Sequence, residues 1–237
     1  MAYLDVRSIA KTLGAAGSSP DGEATAVLRE VSLKVESGEC VGLSGSTGSG
    51  KTTLLRIISG LERPDRGEIW LDGKLASSPK VVLPPGERHI GFVFQHLGLW
   101  PHLTVAEHLD YALSTLPLKK SEKNCRKEEL LLEFSLHEKL IERRPAELSG
   151  REKRLLALAR ALCGDIKLLL LDEPFHGLDG ALEARVVETL GRIRRTRKLA
   201  TLLVSHAARD FERLCDRVVT LREGHTHGGA GRLKSGK

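Results

Sequence analysis

The sequence predicts an α/β fold in which a parallel sheet delivers polar groups to one edge. Three observations predict it. Cys40-Val41-Gly42-Leu43-Ser44 is short and apolar, as a buried strand is; Gly45, Ser46, Thr47, Gly48, Ser49, Gly50, Lys51 and Thr52 come next, and Thr53 to Ser59 reads as a helix that stops at Gly60. A second apolar run, Lys167 to Leu171, ends at Asp172-Glu173-Pro174. A third, Ala200 to Ser205, reads as the last core strand and ends on His206. Ligands of open parallel sheets lie at the carboxyl ends of the strands, so Gly45, Asp172 and His206 are expected to meet in one site.

The remaining elements are taken in chain order. Gly14 to Thr25 is small and polar and reads as a flexible loop within an N-terminal sheet. Residues 27–35 alternate apolar and polar over much of their length, which predicts a half-buried strand. Short strands are expected around residues 65–73 and over Ile90 to Phe94, the second ending on Gln95. Thr104 and Glu107 form a capping box ahead of Val105, Leu109, Ala112, Leu113 and Leu116, a helix that Pro117 stops. Charged helical stretches continue to about Arg143, so residues 100–160 read as a helical insert. Ser149 and Glu152 make a second capping box, opening a helix to Cys163 with Gly164 as its expected cap. Another helix is expected from Ala181 to Arg195.

Composition bounds the function. The chain has 237 residues, a formal net charge of +6 and four cysteines. No run of 18 apolar residues exists, so no spanning helix is expected, and Met1 to Ala10 has no secretory pattern. Cys40, Cys125, Cys163 and Cys215 are widely spaced without a C-x-x-C pair, which argues for reduced thiols rather than a disulfide frame or zinc site. Basic residues cluster at Lys119 to Lys127, at Arg192 to Lys198 and in the tail from Arg232. Such runs ordinarily form solvated faces; a surface near anionic lipid is the second reading. Nucleic acid is third and is not expected as a partner, because no aromatic residues interleave with the charges.

The glycine loop carries the clearest chemistry. Glycines let backbone N–H groups wrap a phosphate, and the helix N-terminus adds a positive dipole end. Lys51 would reach the β- and γ-phosphates, and the Thr52 hydroxyl would ligate Mg²⁺. Asp172 is placed to hold the same ion directly or through water. Glu173 could polarise an attacking water, and His206 could contact the γ-phosphate.

Together, residues 45–52, Gln95, Leu148-Ser149-Gly150-Arg151-Glu152, Leu168 to Glu173, Leu178-Asp179 and His206 come in the order and spacing of an ATP-binding cassette (ABC) ATPase, which the chain resembles over about residues 1–225. The resemblance implies a P-loop NTPase with a RecA-like α/β core, an N-terminal antiparallel β-subdomain and an α-helical subdomain. On that reading residues 1–237 are one ABC domain: about 1–99 and 161–225 form the β-subdomain and core, about 100–160 the helical subdomain, and 226–237 a basic tail. It also implies ATP and Mg²⁺ as cofactors, and nucleotide contacts from the loop residues through Thr53. The partners it implies are a second cassette chain, as homo- or heterodimer, and transmembrane permease subunits, with peripheral attachment at the cytoplasmic face. Gln95 would sense the metal and the permease, Glu173 would be the general base, Asp179 would couple the two sites, and His206 would be the switch histidine. Ser149, Gly150, Arg151 and Glu152 would face the nucleotide of the partner chain.

The stretch Leu83 to Val105 resembles bacterial importer ATPases for molybdate, sulfate, polyamines, iron or sugars, systems that also use a solute-binding protein. The alternatives are a weakly hydrolytic regulatory cassette and a soluble ABC ATPase acting on nucleic acid. Four departures from the family pattern stand out. Arg151 replaces a glycine. Leu155 replaces an arginine, with Arg154 one place earlier. His176-Gly177 replaces Ser-Ala. Leu13 is the nearest group to the position of an adenine-stacking aromatic.

Overall fold

The computed structural model describes residues 2–14 and 25–227. Two long strands, β1 (Ala2–Leu13) and β2 (Thr25–Glu36), lead to β3 (Cys40–Ser44) and α1 (Lys51–Ser59). After β4 (Arg66–Leu71), β5 (Lys74–Ser77) and β6 (Ile90–Val93) come the helices α2 (Val105–Ser114), α3 (Lys120–Glu133) and α4 (Gly150–Leu162). The chain then alternates β7 (Leu168–Asp172), α5 (Gly180–Arg197), β8 (Ala200–Val204), α6 (Ala208–Leu214), β9 (Arg217–Arg222) and β10 (His225–His227).

The strands run β5-β4-β1-β2-β10-β9-β3-β8-β7-β6. From β9 to β6 every pair is parallel, whereas β1, β2, β4 and β5 pair antiparallel. This is the expected α/β architecture: a parallel core joined at one edge to an antiparallel sheet. The β3, β7 and β8 runs are almost wholly buried, as expected of strands covered on both faces. One apolar cluster packs α2, α3, α4 and α5 against the sheet, and a second packs α1 against the other face and the antiparallel strands.

Three local expectations change. Gly164 does not cap α4: the helix ends at Leu162 with Cys163 in right-handed geometry, and Gly164 has no positive φ. Arg126 and Arg197 instead donate to the carbonyls of Gly164 and Leu162, so cations from α3 and α5 do the work of a glycine cap. Second, β8 is not the last core strand: β9 pairs with β3, from Val41↔Arg217 to Ser44↔Thr220. Third, β6 stops at Val93, two residues before Gln95. Of the loop expected at Gly14 to Thr25, Thr25 belongs to β2 and residues 15–24 lie outside the described residues; of the tail expected at 226–237, Thr226 and His227 belong to β10 and the rest lies outside the described residues.

Two features anchor α1. Gly60 caps its end at φ 82° and donates to the carbonyl of Ile57. Arg88 lies fully buried beside it and donates to the carbonyls of Leu83, Ile58 and Ala76 and to Ser77 Oγ, each at 2.8 Å. Burial pulls its guanidinium pKa down to about 10, so it stays charged at neutral pH, beside the negative end of α1.

Candidate active site

Register brings the site together. Leu43 pairs with Val204, and Val204 pairs with Asp172, so β3, β8 and β7 end at one level. The glycine loop, His206 and Glu173 leave these strand ends side by side. Thr47, Gly48, Gly50, Lys51, Thr52, Thr53, Gln95, Asp172, Glu173 and His206 line a cleft of about 310 Å³, with Leu13, Val27 and Val204.

Gly45 has φ 153°, and a Cβ there would stand 2.4 Å from the carbonyl of Leu221, so the position excludes any larger residue. Lys51 is folded into the loop, its Nζ donating to the carbonyls of Gly45 and Ser46 at 2.8 Å. Burial lowers its pKa, opposed by Glu173 and Asp172. The buried Ser49 hydroxyl has no hydrogen-bond partner among the described residues. An orphaned hydroxyl, a lysine and an uncapped helix start suit an anion.

Opposite the loop, Thr52 Oγ1 donates to Asp172 Oδ2 at 2.9 Å. Asp172 is only 2 % exposed, and burial raises its pKa, opposed first by the Thr52 hydrogen bond. A carboxylate held in low dielectric beside a hydroxyl favours a hard divalent cation, which would relieve its desolvation. Glu173 takes a left-handed backbone, φ 53°, and its Oε1 lies 2.9 Å from His206 Nε2. Its N–H donates to the Val204 carbonyl at 3.0 Å.

Ser149, Gly150, Arg151 and Glu152 do not line this cleft. Ser149 caps α4: its Oγ accepts from the Glu152 N–H, and Glu152 Oε2 accepts from the Ser149 N–H at 2.7 Å. That capping pair lowers the Glu152 pKa and sets a carboxylate on the helix's positive end. Gly150 opens the helix. Arg151 Nη1 meets Asp179 Oδ2 at 2.5 Å, while Asp179 Oδ1 caps α5 through the Leu182 N–H. The Leu182 N–H, then Arg151, hold the Asp179 carboxyl below its ordinary range, against an opposing effect of burial.

Sequence reasoning missed Val27 and Val204 as cleft walls. Residue 27 is legible as a strand position, but only the fold brings it over the glycine loop. It also missed the contact from Arg154 Nη1 to the Glu173 carbonyl at 2.7 Å. The shifted arginine was visible; its partner was not.

A profile described as ABC transporter matches residues 28–176. The chain belongs to the ABC transporter family. It is 40 % identical over 197 residues to a probable sulfate/thiosulfate import ATP-binding protein of Chlorella vulgaris, covering 83 % of this chain and 81 % of that one. It is 39 % identical to a glucose import ATP-binding protein of Saccharolobus solfataricus (83 % and 56 % covered) and 38 % identical to a trehalose/maltose import ATP-binding protein of Thermococcus litoralis (86 % and 55 %). The chain thus spans little more than half the length of those two relatives. Among solved structures, a dimeric ATP-binding cassette in a post-hydrolysis state bound to ADP and Pi superposes with a TM-score of 0.85 at 27 % identity, over 98 % of this chain and 99 % of that one. The fold is thus that of an ABC ATPase cassette, as the motifs implied. Among the described residues no helix is long and apolar enough to cross a membrane.

Proposed function

We propose that this chain is the ATP-hydrolysing subunit of an ABC importer. The observation that carries the reading is the shared level of three strand ends, which sets Lys51, Thr52, Asp172, Glu173 and His206 around one cleft. In that role the backbone from Gly45 to Thr53 cradles the phosphates and Lys51 exchanges its two carbonyl contacts for phosphate oxygens. Thr52 and Asp172, with Gln95 at the rim, would hold Mg²⁺, which when bound would neutralise phosphate charge. Glu173 orients and deprotonates the attacking water, and His206 fixes the Glu173 carboxylate and faces the γ-phosphate. Leu13 and Val27 would offer the base an aliphatic wall in place of an aromatic one.

The second half of the site comes from another cassette chain, through its Ser149, Gly150, Arg151 and Glu152, with Asp179 at the junction. Permease subunits carry the solute, and a solute-binding protein delivers it. The cassette then sits at the cytoplasmic face of the membrane. Support comes from the import functions named for the relatives and from the dimeric cassette it superposes on. The test is Glu173→Gln: steady-state phosphate release should fall by at least about 10²-fold, the range of general-base catalysis, while ATP binding persists. Unchanged release would sink the role given to Glu173.

A weakly hydrolytic regulatory cassette is the second reading, favoured by the tie between Arg151 and Asp179. Normal ATP binding with negligible turnover alongside the permease would select it.

A further inference from the structure

The helix α4 touches the segment that carries Glu173 at both of its ends. Arg151 and Arg154 are three residues apart, so they share one helix face. Arg151 holds Asp179, and Arg154 holds the main-chain carbonyl of Glu173. Between them runs Glu173-Pro174-Phe175-His176-Gly177-Leu178-Asp179, which contains the His176-Gly177 departure.

The two contacts differ in kind. Arg151 and Asp179 are 57 % and 45 % exposed, so salt screens that pair and its contribution is small. Arg154 is 9 % exposed and donates a charge-assisted hydrogen bond at 2.7 Å. The target of that bond is unusual. Glu173 sits at φ 53°, a conformation disfavoured for a residue with a Cβ, and it persists only where neighbours fix it. The Val204 carbonyl fixes the N–H side of Glu173, and Arg154 fixes the carbonyl side. The direction of the carboxylate is set by that backbone. If φ relaxed toward the ordinary right-handed region, Glu173 Oε1 would leave His206 Nε2, now 2.9 Å away.

We propose that Arg154 is a positioning residue for Glu173: the guanidinium pins the carbonyl that keeps the carboxylate aimed into the cleft. The arginine displaced from position 155 to 154 has thereby become a brace between α4 and Glu173 of its own chain. Leu155, meanwhile, packs into the apolar core. The inference rests on the reading of Glu173 as general base.

The experiment measures steady-state kcat and KM for ATP hydrolysis by the full chain, with binding of a fluorescent ATP analogue, for Arg154→Gln, Arg154→Lys, Glu173→Gln and the Arg154→Gln/Glu173→Gln pair. Arg154→Gln should lower kcat by about 10- to 100-fold, the scale of a misplaced catalytic group, with KM and analogue affinity within about twofold of wild type. Arg154→Lys, which keeps a charged donor, should recover part of the loss. The paired variant should be no slower than Glu173→Gln alone, because Arg154 acts through Glu173. Turnover retained by Glu173→Gln would remove the general-base reading. If Glu173→Gln is inactive and folded Arg154→Gln keeps wild-type kcat, or loses affinity as much as kcat, the positioning role is overturned. Should Arg154→Gln not fold, Arg154→Lys decides: a reduced kcat at unchanged KM supports the role, and wild-type kcat refutes it.

Discussion

Two helix N-termini can be compared directly, because each is a candidate phosphate contact. Gly50 caps α1 without a side chain, no acid stands in its first turn, and its positive end opens on the cleft. Ser149 caps α4 with its hydroxyl, Glu152 completes the box, and Arg151 is tied to Asp179. An uncapped terminus offers its N–H groups to an arriving anion. A boxed terminus has engaged two of its N–H groups, here those of Ser149 and Glu152, and set a carboxylate at its own positive end. The difference teaches that position in the sequence motif does not fix the means of recognition. A phosphate entering at α1 meets backbone and Lys51; one brought to α4 meets side chains first.

The largest effect expected from breaking this contrast is at Lys51. Lys51→Ala removes the cation that the Gly45 and Ser46 carbonyls hold at the open end of α1. Phosphate release should fall by about 10²–10³-fold, as for loss of one preorganised electrostatic contact. Residual activity within tenfold of wild type would show that backbone alone suffices there. A smaller effect is expected at α4. Ser149→Ala should cost about 1 kcal/mol of stability, the usual value of a cap, read as a lower urea midpoint at constant slope. An unchanged midpoint would mean that the box contributes nothing and that α4 is as free as α1.

The smallest effect concerns Asp172, beside the open end. Burial raises its folded pKa above the ordinary aspartate value. At pH values between the unfolded and folded pKa, the folded chain therefore holds a proton that the unfolded chain has released. Stability from this group is present below the unfolded pKa and is lost as pH rises through the folded one. Without divalent cation, the melting temperature of wild type should fall relative to Asp172→Asn as pH is raised from about 4 toward 7. Parallel curves would refute it.

Much of this was legible because periodicity and turn chemistry are local. The β3–loop–α1 unit, the leucines of β7, and both capping boxes are set by neighbours in sequence. The cleft residues Gln95, Asp172, Glu173 and His206 were legible because each ends or succeeds an apolar run. Features that depend on distant partners could not be read. Arg217 to Arg222 is not read as a strand from sequence, because its pairing with β3 is not local. Gly164 looks like a cap until two arginines from other helices take that task. Part of the Arg192 to Lys198 run, expected as a solvated face, is bound to Glu133, Asp216 and the Leu162 carbonyl. Arg154 shows only its displacement in sequence, never the carbonyl it holds.

The contact between Gly45 and the Leu221 carbonyl has a consequence for synthesis. Ser44 and Thr220, hydrogen-bonded at 2.9 Å, are 176 residues apart. The glycine loop leaves the ribosome early, yet one of its walls is made only when β9 has emerged. Contacts of such separation close late and slowly. Nascent chains that already contain every residue of the glycine loop would still lack the surface that shapes it, so capacity to hold nucleotide should arise abruptly once residue 221 is clear of the exit tunnel.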